Sequence, residues 1–346
     1  MVTIRVDAST PYDVTIERGD AWLDRVQAFS GSTIWVVTDE TVDRLHGRAF
    51  RERLATPGAL VWSVVAPGDE SKSLSVIERL VSEGLNAGCD RDTLILALGG
   101  GMVGDLAGFL ASVYMRGVRY IQVPTTILAH DSAVGGKVAV NHPLAKNAIG
   151  AFHQPMGVHY DVTRLETLPE RDVRSGLGEL IKHAYLSEHV LDASFEDALF
   201  DALTRPIDWT DWLARGIEVK RRIVEADERE HGVRAWLNFG HTFGHALETS
   251  EQYRLAHGEA VLYGMVYAFL LSGDVTRARR LADWMKMNGI PPVAWRPFEE
   301  YRTFMGRDKK NRGGEVRFVL LGDTVTVEPV SDDRLLAAFT QLKGWM

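Results

Sequence analysis

The chain changes its hydrophobic rhythm about halfway along. In the first half, short apolar runs alternate with polar, periodic stretches. Thr33–Thr38 (TIWVVT), Leu60–Val65, Thr93–Leu98 (TLILAL) and Tyr120–Val123 read as strands. Thr41–Leu54 and Leu74–Leu85 carry helical periodicity. The opening MVTIRVDASTPYDV alternates like a further strand. Apolar strands separated by amphipathic helices predict a mostly parallel sheet covered on both faces. After about Asp161 long periodic segments take over: Glu170–Ser187, Leu191–Leu203, Trp209–Glu228, Thr242–Glu251, Glu259–Ser272 and Thr276–Asn288. Strand-like runs return only at Val316–Leu321 and Thr324–Glu328. The pattern predicts an α/β domain over 1–160 and a mainly α-helical domain over 161–346.

Composition narrows the function. With 346 residues, 45% apolar and 25% charged, the chain is an ordinary globular protein in make-up. Its one cysteine, Cys89, excludes a disulfide framework and fits a reducing cytoplasm. The N-terminus lacks a basic segment followed by an apolar one, so no signal peptide is expected. No apolar run reaches the ~18 residues of a membrane span. The net charge of −8 argues against nucleic acid as a partner. A small anionic ligand stays compatible if its cations are gathered locally.

Two glycine-containing stretches gather such groups. Gly99-Gly100-Gly101-Met102-Val103-Gly104-Asp105 follows an apolar strand and opens a helix. Glycines there let backbone approach a pyrophosphate, and a helix N-terminus offers free N–H groups. A tight turn with close strand–helix packing is the competing account. Thr125 and Thr126 after the next strand are further donors or a helix cap. Asp39 ends another strand, where a carboxylate could accept from a ribose hydroxyl. Asp131-Ser132-Ala133-Val134-Gly135-Gly136-Lys137, followed by Asn141, Lys146 and Asn147, lacks the P-loop spacing. It reads as an anion cradle, with Asp131 on a polyol hydroxyl, or as a solvated loop.

The helical half carries a candidate metal constellation. His241 and His245 stand at i and i+4, on one helix face, and His257 and Glu259 follow closely. Two imidazoles so placed are a ready pair for Zn²⁺, which also takes a carboxylate oxygen. Glu179 lies in an otherwise apolar helical stretch, where an acid is costly to bury unless paired or metal-bound. Lys182 at i+3 offers a plain ion pair instead. Glu228, Glu230 and Glu248 are rival acids.

Five segments in order now resemble the 3-dehydroquinate synthase family, a group of sugar phosphate cyclases. They are GGGMVGDLAGFLASVYMRG, QVPTTILAHDSAVGGKVAVNHPLAKNAIGAFHQP, LPERDVRSGLGELIKHAYL, DEREHGVRAWLNFGHTFGHALE and HGEAVLYGM. The HDSAVGGK form is similar to the Bacillus-type members. The resemblance implies a Rossmann-like, NAD-binding N-terminal domain and a helical metal- and substrate-binding C-terminal domain. It implies NAD⁺, zinc or cobalt, and a cytoplasmic homodimer. The activity implied is conversion of 3-deoxy-D-arabino-heptulosonate 7-phosphate to 3-dehydroquinate and phosphate in the shikimate route. It would run through transient oxidation, phosphate elimination, re-reduction and intramolecular aldol closure.

By position, the resemblance makes Glu179, His241 and His257 the metal ligands and moves His245 to a nearby active-site role. Substrate contacts fall on Asp131, Lys137, Asn147, Lys182, Lys220, Arg234, Asn238 and Lys310, the last chosen over Lys309. Arg116 becomes a phosphate-binding arginine reaching across a dimer. Nicotinamide and pyrophosphate contacts fall on Gly101, Gly104, Asp105, Thr125, Thr126, Lys137 and Lys146. The adenosine end falls on Asp39, Asp69 and Lys72. Some positions depart from the family pattern: Asp69 replaces glutamate, Thr41 asparagine, and Trp236 a smaller aliphatic residue. Ala145 and Ala148 replace a glycine and a larger apolar residue. None removes a catalytic group. Another sugar phosphate cyclase is the nearest alternative, ahead of a metal-dependent polyol dehydrogenase and of a non-catalytic ligand-binding protein.

Overall fold

The computed structural model describes all residues except 27–32, 55–57, 205–206, 253 and 307–314. The chain forms two compact units. Met1–Pro169 with Ile207–Arg229 makes the first, and Glu170–Pro206 with Glu230–Met346 the second.

In the first unit the strands are β1 (Val2–Val6), β2 (Tyr12–Glu17), β3 (Ile34–Asp39), β4 (Leu60–Val65), β5 (Leu94–Gly99), β6 (Arg119–Pro124), β7 (Lys137–His142), β8 (Ala145–Phe152) and β9 (Gly157–Asp161). Seven of them form one sheet in the order β1-β2-β9-β6-β5-β3-β4. Neighbours run parallel except β1 and β2. Every residue of β3 and β5 is buried, as apolar runs covered on both faces require. One face packs Trp35, Val37, Ile95 and Ala97 against Leu80 of helix α1 (Leu74–Asn86) and Leu106 and Leu110 of helix α2 (Gly101–Val113). The other packs Val36, Leu94, Leu96 and Leu98 with Trp22 and Phe50.

Three features differ from the sequence expectation. The N-terminal alternation is a hairpin of two strands, because Asp7–Pro11 interrupts it. The stretch after Gly136 is the antiparallel hairpin β7–β8. Val138 and Val140 are its buried side chains, and exposed Lys137 points to the opposite face. The helix Trp209–Ala226, expected in the domain 161–346, falls in the first unit. Hydrogen bonds explain this. Glu225 accepts from Asp7 N at 2.8 Å. Glu228, just beyond the helix, accepts from Ser9 N, Ser9 Oγ and Gln154 Nε2 at 2.9, 2.6 and 2.7 Å.

The second unit contains helices α3 (Glu170–Leu191), α4 (His241–Ser250), α5 (His257–Ser272) and α6 (Val275–Met287), with the hairpin of β10 (Arg317–Leu321) and β11 (Val325–Pro329). Helix α5 is buried along nearly its whole length, the mark of a helix apolar on all sides. Its neighbours touch it backbone to backbone. A Cβ on Gly258 would lie 1.8 Å from the Ser175 carbonyl oxygen, and one on Gly178 2.3 Å from that of Gly258. A Cβ on Gly264 would lie 1.7 Å from the Gly240 carbonyl oxygen. Gly240 also has φ +78°, which itself favours glycine. Among the described residues no helix is long and apolar enough to cross a membrane.

Gly264→Ala therefore forces two helices apart and is expected to cost about 3 kcal/mol or more in urea unfolding. Gly273→Ala, at the α5 C-terminus with φ +83° and open space around it, is expected to cost about 1 kcal/mol. Equal costs would show that the α4–α5 contact yields to a methyl group.

Candidate metal centre and nucleotide-facing groups

The glycine contacts of the second unit bring three potential ligands together. Gly178 precedes Glu179, Gly240 precedes His241, and Gly258 follows His257. Glu179 Oε1 lies 3.5 Å from His241 Nε2 and 3.2 Å from His257 Nε2. Ligands at the usual ~2.0–2.1 Å from a tetrahedral zinc stand about 3.3 Å apart. Both separations suit a four-coordinate divalent metal, and all three ligand atoms lie within 4.8 Å of one another.

Each ligand is oriented from behind. His241 Nδ1 is 3.1 Å from the Phe239 carbonyl oxygen, which fixes the Nδ1–H tautomer and leaves the Nε2 lone pair toward Glu179. His257 Nδ1 is 3.2 Å from Glu248 Oε2. Lys182 Nζ lies 2.5 Å from Glu179 Oε2, and both side chains are fully buried. The lysine engages one carboxylate oxygen and leaves the other facing the imidazoles. The imidazoles differ electrostatically. Burial drives the His241 pKa well below its ordinary value against the pull of Glu179. Burial also works against protonated His257, but Glu248 and Glu179 outweigh it and raise that pKa to about 10. A metal ion at Nε2 would replace that proton.

The start of α5 is pinned. Glu259 Oε2 accepts from Ala256 N at 2.9 Å, and its Oε1 from Arg174 Nε at 2.8 Å. Gly258 N donates to Ser175 Oγ at 3.0 Å. Glu259 is therefore a helix cap. Of the rival acids, Glu228 binds the N-terminal loop, Glu230 accepts from Asn238 Nδ2 at 3.3 Å, and Glu248 stands behind His257. His245, one turn from His241, groups instead with Glu248 and His257 on a more exposed side. Arg234, in the short helical segment Val233–Asn238, is 1% exposed.

In the first unit a polar network joins the two glycine-containing stretches. Lys72 Nζ donates to Asp105 Oδ2 and to Asn147 Oδ1, both at 2.6 Å. Burial lifts the Asp105 carboxyl above its ordinary range, and Lys72 opposes the shift. Asn147, at φ +50°, donates its N–H to Asn141 Oδ1 at 2.9 Å. Asn141 Nδ2 reaches the Asp69 carbonyl at 3.1 Å, and Lys146 pairs with the Asp69 carboxylate at 3.2 Å. Asn141 held no assigned role in the sequence, although it sits in the cradle stretch. Asp39 caps a short helix, its Oδ1 accepting from Thr41 N and Val42 N at 2.8 and 3.0 Å.

Helix α2 starts at Gly101, directly after buried β5. A Cβ on Gly100 would sit 2.8 Å from Thr126 Cγ2, and one on Gly101 2.9 Å from Ser132 Oγ. The turn is thus bare backbone at a helix N-terminus, the cradle a pyrophosphate needs. Gly104 also lies against strand β6, where a Cβ would overlap the Gln122 side-chain amide. Thr125 N donates to the Gly99 carbonyl at 3.0 Å. Lys220, from the helix Trp209–Ala226, donates to Asp131 Oδ1 at 2.9 Å. Lys137 begins β7 and is exposed. Arg116 follows Met115, and both have positive φ (+69° and +49°), a sparsely populated conformation for non-glycine residues. Lys310 lies outside the described residues.

Comparison with known proteins decides the family. The model of the 3-dehydroquinate synthase N-terminal region matches residues 62–175, and that of its C-terminal region 176–311. A protein named 3-dehydroquinate synthase, from a strain of Exiguobacterium, is 65% identical over 348 residues, covering 100% of this chain and 99% of that one. The chain belongs to the 3-dehydroquinate synthase family. Solved cyclases share its fold. 2-Epi-5-epi-valiolone synthase from Streptomyces hygroscopicus, with NAD⁺ and Zn²⁺ bound, is 24% identical at a TM-score of 0.82, over 96% of this chain and 97% of that one. 2-Deoxy-scyllo-inosose synthase complexed with carbaglucose-6-phosphate, NAD⁺ and Co²⁺ is 22% identical at 0.81, over 98% and 100%.

For this 3-dehydroquinate synthase family member, His241→Ala is expected to weaken zinc binding by more than about a hundredfold, a larger loss than outer-shell changes cause. His245→Ala is expected to keep its zinc through dialysis. The reverse pattern in metal analysis would reject the trio.

Proposed function

We propose that this chain is a 3-dehydroquinate synthase, converting 3-deoxy-D-arabino-heptulosonate 7-phosphate to 3-dehydroquinate and phosphate. One observation carries the reading. A largely buried Glu179–His241–His257 cluster of metal-ligand spacing lies within a chain that matches a protein of that name from end to end. Glu179, His241 and His257 would hold a divalent metal, zinc or cobalt. Gly101, Asp105, Thr125, Thr126, Lys146, Asp69, Lys72 and Asp39 would serve NAD⁺. When bound, the metal would supply Lewis acidity at substrate hydroxyls and NAD⁺ a hydride acceptor.

The chain's own residues then have distinct tasks. Lys182 balances the Glu179 charge and keeps that carboxylate to one ligating oxygen. The substrate carries a phosphate and a carboxylate, and the chain's net charge is −8, so its cations must be local. Arg234 supplies a buried, fork-shaped donor for one of these anions. Asp131 holds the Lys220 ammonium in place. Lys72 ties Asp105 to Asn147, so the cofactor-side helix and the hairpin β7–β8 are set together. Arg116 would serve the phosphate from a second copy in a homodimer. The overall conversion leaves substrate and products at the same oxidation level, so hydride taken must be returned.

With substrate, NAD⁺ and metal, phosphate and 3-dehydroquinate are expected to appear in equal amounts with no accumulation of NADH. Stoichiometric NADH would point to a dehydrogenase. Arg234→Ala is expected to weaken substrate binding about 10- to 100-fold, the worth of a charge-assisted hydrogen-bond pair, while NAD⁺ affinity holds. Equal weakening of both ligands would remove Arg234 from the substrate site.

A further inference from the structure

We infer that Glu248 is a positioning residue for the metal centre: it acts through His257 and touches neither metal nor substrate. The inference rests on reading Glu179, His241 and His257 as the metal ligands. Its own basis is geometric. Glu248 lies seven residues after His241, two helical turns along α4, so both face α5. Its side chain is 9% exposed, and Oε2 stands 3.2 Å from His257 Nδ1. The other ring nitrogen, Nε2, stands 3.2 Å from Glu179 Oε1. The imidazole is thus held between two carboxylates, one at each nitrogen. A cation placed beside Glu179 claims Nε2, and the proton left on Nδ1 points at Glu248.

The arrangement divides labour between the histidines. His241 donates its Nδ1–H to a neutral carbonyl, that of Phe239, at 3.1 Å. His257 donates to a carboxylate, whose negative charge strengthens the imidazole as a ligand and fixes its ring plane. His257 needs the stronger hold. It is the first residue of α5 and is more exposed than His241. The same helix α4 therefore provides one ligand directly and secures the other from behind.

The alternative is that Glu248 is itself a ligand, in a second grouping with His245 and His257. Glu248→Gln, Glu248→Ala and wild type separate the cases. Zinc affinity is measured by competition with a chromophoric chelator, alongside the melting temperature of the metal-free protein and the visible spectrum of the cobalt form. Glu248→Gln keeps an acceptor and is expected to lose about tenfold in affinity, and Glu248→Ala up to about a hundredfold. Both variants lose the part-buried Glu248–His257 pair and should melt below wild type without metal. The further rise in melting temperature that zinc brings should shrink, and the cobalt bands should shift while stoichiometry stays at one. Unchanged affinity in both variants would overturn the inference, as would a lower affinity with cobalt bands identical to wild type. Two zinc ions in wild type falling to one in Glu248→Ala would also overturn it, making Glu248 a ligand. Failure of wild type to bind zinc at all would instead remove the metal reading beneath it.

Discussion

Backbone-to-backbone contact at glycine is the constraint on which the metal centre depends. Three side chains from three helices can point into one ion-sized space only if the helix axes come unusually close. Gly178, Gly240, Gly258 and Gly264 permit this, because a single added carbon at any of them would overlap neighbouring backbone or side chain. Each ligand sits beside one of these contacts in sequence. The glycine thus sets the position of the Cα next to it, and the ligand has little freedom left. Interiors are close-packed, so a contact of this kind transmits a displacement rather than absorbing it.

The charges follow from that geometry. Once Glu179 is buried between helices, its carboxylate needs compensation, and Lys182 one turn on supplies it. The remaining oxygen faces two imidazoles, each with its other ring nitrogen on an acceptor. Phe239 and Glu248 settle their tautomers. In the first unit, Lys72 plays a comparable part among Asp105, Asn147 and Asn141. In both places a lysine is spent on holding acceptors in position.

Much of the fold was legible because burial leaves a periodic trace. The helices α1, α3 and α6 appear as amphipathic periods, and the wholly buried β3, β5 and α5 as continuous apolar runs of strand or helix length. The hairpin β7–β8 was hidden, since lysines, Asn141, Pro143 and glycines mask the alternation of Val138 and Val140. The helix Trp209–Ala226 was visible as a helix, but periodicity says which face is buried and not against what. The site divides the same way. Glu179 drew attention as an acid in an apolar stretch, and the His241–His245 pair by its spacing. Spacing alone paired His241 with His245 and left Glu248 among the rival acids, whereas the fold sets Glu248 beside His257 Nδ1. Resemblance to a known family assembled the trio, since no local pattern links α3 to α4 across some sixty residues. Gly104 shows why one pattern can carry two readings: its place in the glycine turn suggests a nucleotide contact, and its close approach to Gln122 also requires glycine.

Anomalous diffraction from crystals of the cobalt- or zinc-loaded protein tests the account most directly. It predicts one strong peak at about 2.0–2.2 Å from Glu179 Oε1, His241 Nε2 and His257 Nε2. A peak bound by His245 and Glu248, or none near the three helices, would contradict it.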